Sequence, residues 1–332
     1  MSRHILPPLL IPLLKRLSDG CFHSGQDMAA HFQVSRATIF NLLQTAEQHG
    51  VRIHAVRGKG YRLAERLSWL DVDELRAMLA GSGHGYVLKS VEETHSTNTL
   101  LTQEALAGAA HRTVLYADYQ HAGRGRRGRN WQSPLGGGLT FSVLWRFERG
   151  MDQLSGLSIA VGLALARALA GHCPLPVKLK WPNDVLAGYR KLAGILVEVQ
   201  GELAGPSFAV IGIGVNEHLP ARHRQEIDQA VVDLAEMGVD ISRSELLHAI
   251  LSELARTMTV FEQEGIRPIL AEWPHWHAHE GRAVSLRTPD GHRHTGTASG
   301  LDEAGNLLLT LTSGEMRKFS AGEVSLRPAA AK

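Results

Sequence analysis

Cysteine is nearly absent from this chain of 332 residues: Cys21 and Cys173 are the only two, far apart and in no C-x-x-C pair. That excludes a disulfide framework and a thiolate zinc site, and it suits a reducing cytoplasm. Histidine occurs 18 times, but no pair stands in a strong ligand context. His275, His277 and His279 alternate among Trp and Ala without thiolates nearby and are expected at the surface. A membrane-spanning run is also missing from the N-terminus. Ile5 to Leu14 is apolar, but Pro7, Pro8 and Pro12 interrupt it and Lys15-Arg16 stops it. It is too short to cross a bilayer and lacks a small-residue cleavage site, so the expectation is a soluble, cytoplasmic protein with no membrane partner. Excess charge is small, +2 with pI about 8.6, so any nucleic-acid surface must be local. Hydrophobic content of 44% and charged content of 20% suit a globular chain of two or three domains. There is no internal repeat.

The local charge is found in residues 1–66, where nine Lys+Arg face four Asp+Glu, an excess of +5. The pattern there reads helix, helix, turn, helix, then a small hairpin. Ser24 can cap a helix through Phe32 that buries Met28, Ala29 and Phe32. Ser35 can cap the next helix, whose Ala37, Phe40, Leu43 and Ala46 are expected inward, with Gly50 ending it. Arg36, Thr38, Asn41 and Gln44 are then left outside, residue types that reach phosphates and base edges. Val51 to Ala55 and Tyr61 to Leu63 flank the basic tip Arg57-Gly58-Lys59-Gly60. This is the outline of a winged helix-turn-helix; a helical protein-docking module is the alternative, and the charge asymmetry favours DNA.

A connector follows, with a short helix expected around Asp71 to Leu79. From Tyr86 the pattern is mixed α/β. Strands are expected at 86–91, 113–118, 139–146, 176–180, 192–200 and 207–214, and helices at 97–107, 154–170 and 242–264. The helix over 154–170 is apolar almost all round and should be buried. The last fifty residues change to short strands with turns at Pro289-Asp290-Gly291, Asp302 to Asn306 and Ser313-Gly314, which suggests a small β-barrel.

The most unusual stretch is Gly123-Arg-Gly-Arg-Arg-Gly-Arg-Asn-Trp131. Glycine lets the main chain bend and bring N–H groups close to a ligand. Arginine brings a permanent charge and a planar fork matched to phosphate and carboxylate. The string also fits G-x-G-x-x-G, but Ser133-Pro134 and Gly136-Gly137-Gly138 leave no room for the helix that a dinucleotide fold needs after it. A mobile cationic loop that folds over an anion is one reading; a solvated basic turn is the other.

Four further stretches decide between them. Glu93 to Asn98 (Glu-Thr-His-Ser-Thr-Asn) gathers hydroxyls and an amide at a strand-to-helix junction, which alone reads as a helix cap. Lys180-Trp-Pro-Asn-Asp184 ends a strand with a cation, an aromatic plane, an amide and a carboxylate. Arg190-Lys191-Leu-Ala-Gly-Ile-Leu196 puts a lysine at the start of an apolar strand. Ile211-Gly-Ile-Gly-Val-Asn216 carries glycines that let another group approach the backbone. In the order Ser-Thr-Asn, Gln-x-x-Gly-Arg-Gly-Arg-x-Gly-Arg-x-Trp, Lys-Trp-Pro-Asn-Asp, Lys-Leu-x-Gly-Ile-Leu-x-Glu, Gly-x-Gly-x-Asn, the chain resembles the biotin protein ligases. With its winged N-terminus it is similar to the bifunctional bacterial type that also represses biotin synthesis. The resemblance covers nearly the whole chain, although residues 217–241 and the C-terminal β region carry little signature.

That resemblance implies an α/β (α+β) multidomain fold. It has a winged helix-turn-helix at 1–66, a linker at 67–84, a mixed-sheet catalytic domain of the biotin/lipoate ligase type at 85–278 and an SH3-like β domain at 279–332. It implies ATP and Mg²⁺ as cofactors, biotin as substrate, and a biotin carboxyl carrier protein, operator DNA and a ligand-induced homodimer as partners. Lys191, Arg124 and Arg126 are then the catalytic cations, with Gly123 beside them. Ser96, Thr97 and Gln120 are expected on the polar head of biotin, and Trp131, Lys180, Asn183 and Asn216 on ATP. Asp184 is expected on the metal, and Ser35, Arg36, Thr38, Asn41, Gln44, Arg57 and Lys59 on DNA. A lipoate-type acyl ligase, and a biotin-sensing regulator without ligase activity, are the alternatives.

Overall fold

The computed structural model describes residues 5–288, 291–320 and, by main chain alone, 325–328. Helices α1 (Leu10–Leu17), α2 (Gly25–His31) and α3 (Arg36–Gln48) and the hairpin β1 (Ile53–Val56) and β2 (Gly60–Leu63) form the N-terminal winged module. Ser24 Oγ accepts from Asp27 N and Ser35 Oγ from Thr38 N, each at 3.0 Å, so both caps read from the sequence form. The inward face of α3 differs from the expected one. Ile39, Leu42, Leu43 and Ala46 are buried, while Ala37 is exposed and Phe40 is 49% exposed. The set 39, 42, 43, 46 meets α1, whose Leu10, Leu13, Leu14 and Leu17 are fully buried, and that contact sets the phase of α3.

Helix α4 (Val72–Ser82), capped by Asp71, packs Leu75 and Leu79 into the central core. Then come β3 (Val87–Thr94), α5 (Thr97–Leu106), β4 (Thr113–Gln120), β5 (Gly138–Phe147), α6 (Leu157–Ala170), β6 (Val177–Lys180), β7 (Asp184–Ala187), β8 (Arg190–Gly201), β9 (Ser207–Asn216), α7 (Ala221–Gln225), α8 (Arg243–Glu264) and α9 (Arg267–Trp276). The strands form one mixed sheet in the order β3-β4-β5-β9-β8-β7-β6, parallel at β3–β4 and antiparallel elsewhere. One face carries α6 and α8; α6 is buried nearly all round, as its composition requires. The other face carries α5, through Leu101 and Ala105 against Leu115, Leu144 and Val210. Because α5 is short, it covers only part of that face.

Strand β7 and helices α7 and α9 have no counterpart in the sequence expectations. The histidine expectation is also corrected: His275 is exposed, but His277 and His279 are buried. Their segment lies along the edge of β6, with Ala278 N donating to Leu179 O at 2.8 Å, so it supplies the partner that an edge strand otherwise lacks. Burial pulls the His279 imidazole down to about 4.

Strands β10 (Ala283–Arg287), β11 (Arg293–Leu301), β12 (Leu307–Leu311), β13 (Met316–Phe319) and β14 (Ser325–Pro328) make an antiparallel sheet in the order β13-β12-β11-β10-β14. The turns at Asp302 to Asn306 and at Gly314 lie where expected. Pro289 and Asp290 of the third turn lie outside the described residues.

A polar chain, buried from Asp118 onward, joins the layers. Lys15 Nζ of α1 lies 2.6 Å from Asp118 Oδ2 of β4, Tyr116 donates to Asp118 Oδ1 at 2.8 Å, and Arg243 of α8 donates to Tyr116 Oη and to Glu217. The Arg243 side chain is wholly buried. Burial alone would depress its guanidinium, but Glu217 and Tyr116 more than reverse this and hold it above its usual value. Removing one member of a buried ion pair strands the other charge. Glu217→Ala is therefore expected to cost about 3–5 kcal/mol, read as a lower midpoint in urea with unchanged slope; an unchanged midpoint would show that the pair contributes nothing.

Candidate active site

Side chains alternate across a strand, so the face left open by α5 is set by every second residue. On β9 these are Gly212 and Gly214, on β8 Gly194, Leu196 and Glu198, and on β5 Thr140 and Ser142. Cross-strand register puts Gly194 beside Gly214, and both Leu196 and Ser142 beside Gly212. The intervening Ile211 and Ile213 are buried in the core on the opposite face. The Ile-Gly-Ile-Gly run is thus a two-sided element, apolar toward α6 and α8 and without side chains toward the pocket. The cavity above it has a volume of about 410 Å³.

The arginine loop closes over this floor as a small hairpin: Gly125 N donates to Arg129 O at 2.7 Å and Trp131 N to Gly123 O at 2.9 Å. A Cβ on Gly123 would stand 2.7 Å from Trp131 O, so only glycine fits there. At the tip Arg127 and Gly128 have φ of 59° and 71°. The Trp131 indole rests on the glycine floor; a Cβ on Gly214 would meet it at 2.3 Å and one on Gly194 at 2.9 Å.

Lys191 Nζ lies 2.8 Å from Asp184 Oδ1 and 5.4 Å from the centre of the Trp131 ring. Both its main-chain groups are held by the segment after β9, with Lys191 N donating to Ala230 O and Val232 N to Lys191 O. Asn216 Nδ2 donates to Lys191 O and to Val232 O, each at 3.2 Å. Arg126 Nη1 donates to Asn183 Oδ1 at 3.3 Å, and Asn183 Nδ2 to Ile195 O at 2.8 Å. Burial lowers the Arg126 guanidinium from its usual value, against the pull of Asp184. Arg124 Nη2 donates to Glu198 Oε2 at 2.5 Å. Lys180 ends β6 on the pocket wall.

At the other end of the pocket Ser96, Thr97 and Gln120 are buried. Ser96 holds the N-cap position of α5 without a capping hydrogen bond from its side chain; instead Gln120 Oε1 accepts from Thr97 N at 2.7 Å. The simple helix-cap reading of Ser96 therefore fails. All the residues expected on biotin, ATP or metal lie in or directly against this one cavity, Gly123 behind the loop. Three participants in its hydrogen bonding were assigned no role from sequence: Asn98, Ser142 and Glu198. The segment Glu226 to Gln229, with Val231, also lines the cavity, and no motif marked it. Among the described residues no group of three or more His, Cys, Asp or Glu is placed to hold a metal ion.

None of the residues expected on DNA lines this pocket. Arg36, Asn41 and Gln44 of α3 and Arg57 and Lys59 of the wing are exposed. Ser35 and Thr38 are instead engaged with each other in the cap, their hydroxyl oxygens 2.9 Å apart.

Comparison with known proteins agrees with this architecture. Residues 90–216 match the Biotin/lipoate A/B protein ligase family, 279–327 the Biotin protein ligase C terminal domain, and 11–62 an HTH domain. The chain is 37% identical over 319 residues to the Bifunctional ligase/repressor BirA of Salmonella typhimurium, covering 96% of this chain and 98% of that protein. It is 36% identical over 329 residues to its Escherichia coli counterpart, covering 99% of each. Among solved structures, the biotin protein ligase from Aquifex aeolicus in complex with biotin and ATP aligns with TM-score 0.62 and 30% identity, covering 73% of this chain and 99% of that one. With its helix-turn-helix module, mixed-sheet catalytic region and C-terminal β domain, the chain belongs to the biotin protein ligase family.

Proposed function

We propose that this protein is an ATP-dependent biotin protein ligase that also acts as a DNA-binding repressor of biotin synthesis. The observation that carries the ligase reading is the convergence of three cations, Lys191, Arg124 and Arg126, on a glycine-floored pocket whose far end is Thr97 and Gln120. In the first half-reaction a biotin carboxylate oxygen attacks the α-phosphorus of ATP. The bond from that phosphorus to its bridging oxygen breaks, and pyrophosphate leaves biotinyl-5′-adenylate behind. In the second, the neutral amine of a carrier-protein lysine attacks the acyl carbon, an amide forms, AMP leaves, and the amine proton passes to solvent.

Attack of one anion on another is limited by positioning and charge neutralisation. Lys191 bridges the carboxylate and the α-phosphate. Arg124 and Arg126, with the N–H groups around Gly123, close over the same oxygens. Ser96, Thr97 and Gln120 hold the polar head of biotin; Trp131, Asn183 and Asn216 bind the nucleotide, and Lys180 the polyphosphate. Mg²⁺ commonly takes one or two carboxylates plus phosphate oxygens. Asp184 fits that requirement as the protein's share of the site, and the ion neutralises polyphosphate charge when bound. A carboxylase carrier protein is the acceptor, and two free cysteines support a cytoplasmic setting.

The deciding assay combines the protein with ATP, biotin and a biotin carboxyl carrier protein, followed by a streptavidin blot. Labelling of the carrier supports the ligase; transfer of lipoate instead identifies a lipoate ligase. Ligand-dependent DNA binding without labelling identifies a pure regulator.

Lys191→Ala is expected to lower kcat for adenylate formation by at least about a hundredfold while the protein stays folded, because the lysine stabilises charge that arises only in reaction. Wild-type rates of biotin-dependent pyrophosphate release would refute its role. Arg126→Gly is expected to weaken retention of the adenylate more than its synthesis, since each charged hydrogen bond contributes about 1.5–3 kcal/mol. The readout is escaped adenylate and labelling of bystander lysines; carrier-only labelling with no free adenylate would show that the loop is not a lid.

Operator binding is expected to depend on ligand through dimerisation. One winged module offers about 600–1,000 Å² of contact, so tight repression needs two copies on a two-fold operator. The adenylate orders the Gly123 to Trp131 loop and lowers the entropic cost of pairing. Sedimentation with and without biotin and ATP, beside operator binding in one buffer, should show dimer and DNA binding rising together. Tight operator binding by a ligand-bound monomer would refute the coupling.

A further inference from the structure

Glu198 closes the Lys-Leu-x-Gly-Ile-Leu-x-Glu run, yet no step of the reaction above uses it. Its place on β8 turns it to the pocket face, two residues beyond Leu196 and four beyond Gly194. One carboxylate oxygen, Oε2, accepts from Arg124 Nη2 of the loop at 2.5 Å and from Asn98 Nδ2 of α5 at 2.8 Å. Asn98 is buried and its amide is used at both ends: Nδ2 also donates to Leu196 O at 3.1 Å, and Oδ1 lies 2.6 Å from Ser142 Oγ. Ser142 Oγ in turn lies 2.7 Å from Thr97 Oγ1, which lies 3.1 Å from Gln120 Oε1. A Cβ on Gly212 would stand 2.2 Å from Asn98 Oδ1, so the glycine floor is what admits Asn98 to this position.

We propose that Glu198 is a positioning residue that ties the arginine loop to the Asn98–Ser142–Thr97–Gln120 chain, so that Arg124 and the biotin-head end of the pocket are set as one unit. The inference rests on the ligase reading of this pocket. Two physical points carry it. Arg124 stands on a glycine-rich hairpin with a side chain that is 42% exposed, and a long exposed side chain is ordered only if something holds it. Guanidinium has five donors in a fixed plane, so a bond from Nη2 to Glu198 fixes its orientation and leaves donors for a substrate oxygen. The second point is the shared acceptor. Because Asn98 and Arg124 use one oxygen, a shift of either moves the other's partner, and the single Ser142 proton can serve only Asn98 or Thr97 at a time. The biotin end and the loop therefore respond to each other through Glu198.

The test is a double-mutant cycle on the full chain with Arg124→Ala, Glu198→Ala and the double variant, with Glu198→Gln as the conservative change. Glu198→Ala is expected to raise KM for biotin about tenfold, the scale of one charged hydrogen bond. KM for ATP should stay within about twofold, and adenylate should escape faster. Glutamine keeps an acceptor for Asn98 but loses the charge, so Glu198→Gln should recover the biotin KM and still leak adenylate. The double variant should be no worse than the more impaired single variant. Additive losses, equal rises in both KM values, or a Glu198→Gln variant that retains adenylate like wild type would each overturn the role. Thermal melting accompanies each variant; should Glu198→Ala not fold, the Glu198→Gln leak and biotin KM decide alone. Wild-type protein without biotin-dependent pyrophosphate release refutes the ligase reading itself. An active wild type with an additive cycle refutes only the part given to Glu198.

Discussion

Lys191, Arg124 and Arg126 can share one half-buried pocket only because each has a resting partner. Like charges gathered in one partly buried pocket repel, and burial adds a desolvation cost. The partners are Asp184 for Lys191, Glu198 for Arg124 and the Asn183 carbonyl for Arg126. An anionic ligand can then displace the partners of Lys191 and Arg126, while Arg124 keeps Glu198 and offers its remaining donors. Strand β7 exists in this light as the means of delivery: its pairing with β8 puts Asp184 beside Gly194, within reach of Lys191 Nζ. The segment after β9 does the corresponding work for the main chain, because Ala230 and Val232 clamp Lys191 past the point where the β8–β9 pairing ends.

The glycines answer to the same constraint. A cation pocket needs room for a nucleotide and an acid above a continuous sheet, yet the sheet must stay apolar on its other side to hold α6 and α8. Period-two alternation of isoleucine and glycine meets both demands at no cost to pairing, and the Trp131 ring uses the space that the glycines leave. Short α5 leaves that half of the face uncovered, and Gln120 substitutes for the missing side-chain cap at Thr97.

What could be read from the sequence divides along these lines. Elements with strong local signals were legible: the capped helices at Ser24 and Ser35, the apolar α6, the long strands, and the motif residues, whose convergence in one cavity follows from their places at strand ends. Four-residue β7 was not, because Pro182-Asn183 before it and Gly188 after it read as one turn. The phase of α3 was misjudged because Ala37 and Phe40 fit a helical stripe as well as Ile39 and Leu42 do; contact with α1 decided it. His277 and His279 read as polar; pairing along the β6 edge draws their segment in, and the Trp273 ring packs against His277. Asn98, Ser142 and Glu198 act by meeting across three separate elements, which no spacing in one stretch can announce.

The end of β4 shows how one strand can serve two sites. Asp118 holds Lys15 of α1, the Tyr119 ring lies edge-on to His49 at the end of α3 with centroids 6.2 Å apart, and Gln120 caps Thr97 in the pocket. Three consecutive residues thus touch the winged module's first helix, the end of its third helix and the pocket. Leu67 and Leu135, which flank this region, are packed into the winged module's own core, and Trp69 Nε1 donates to Ser18 Oγ at 2.7 Å. The winged module is therefore held to the sheet by apolar packing and by the ion pair of Lys15 with the buried Asp118, not by a tether alone. Arg36, Asn41 and Gln44 of the module stay exposed and take no part in those contacts.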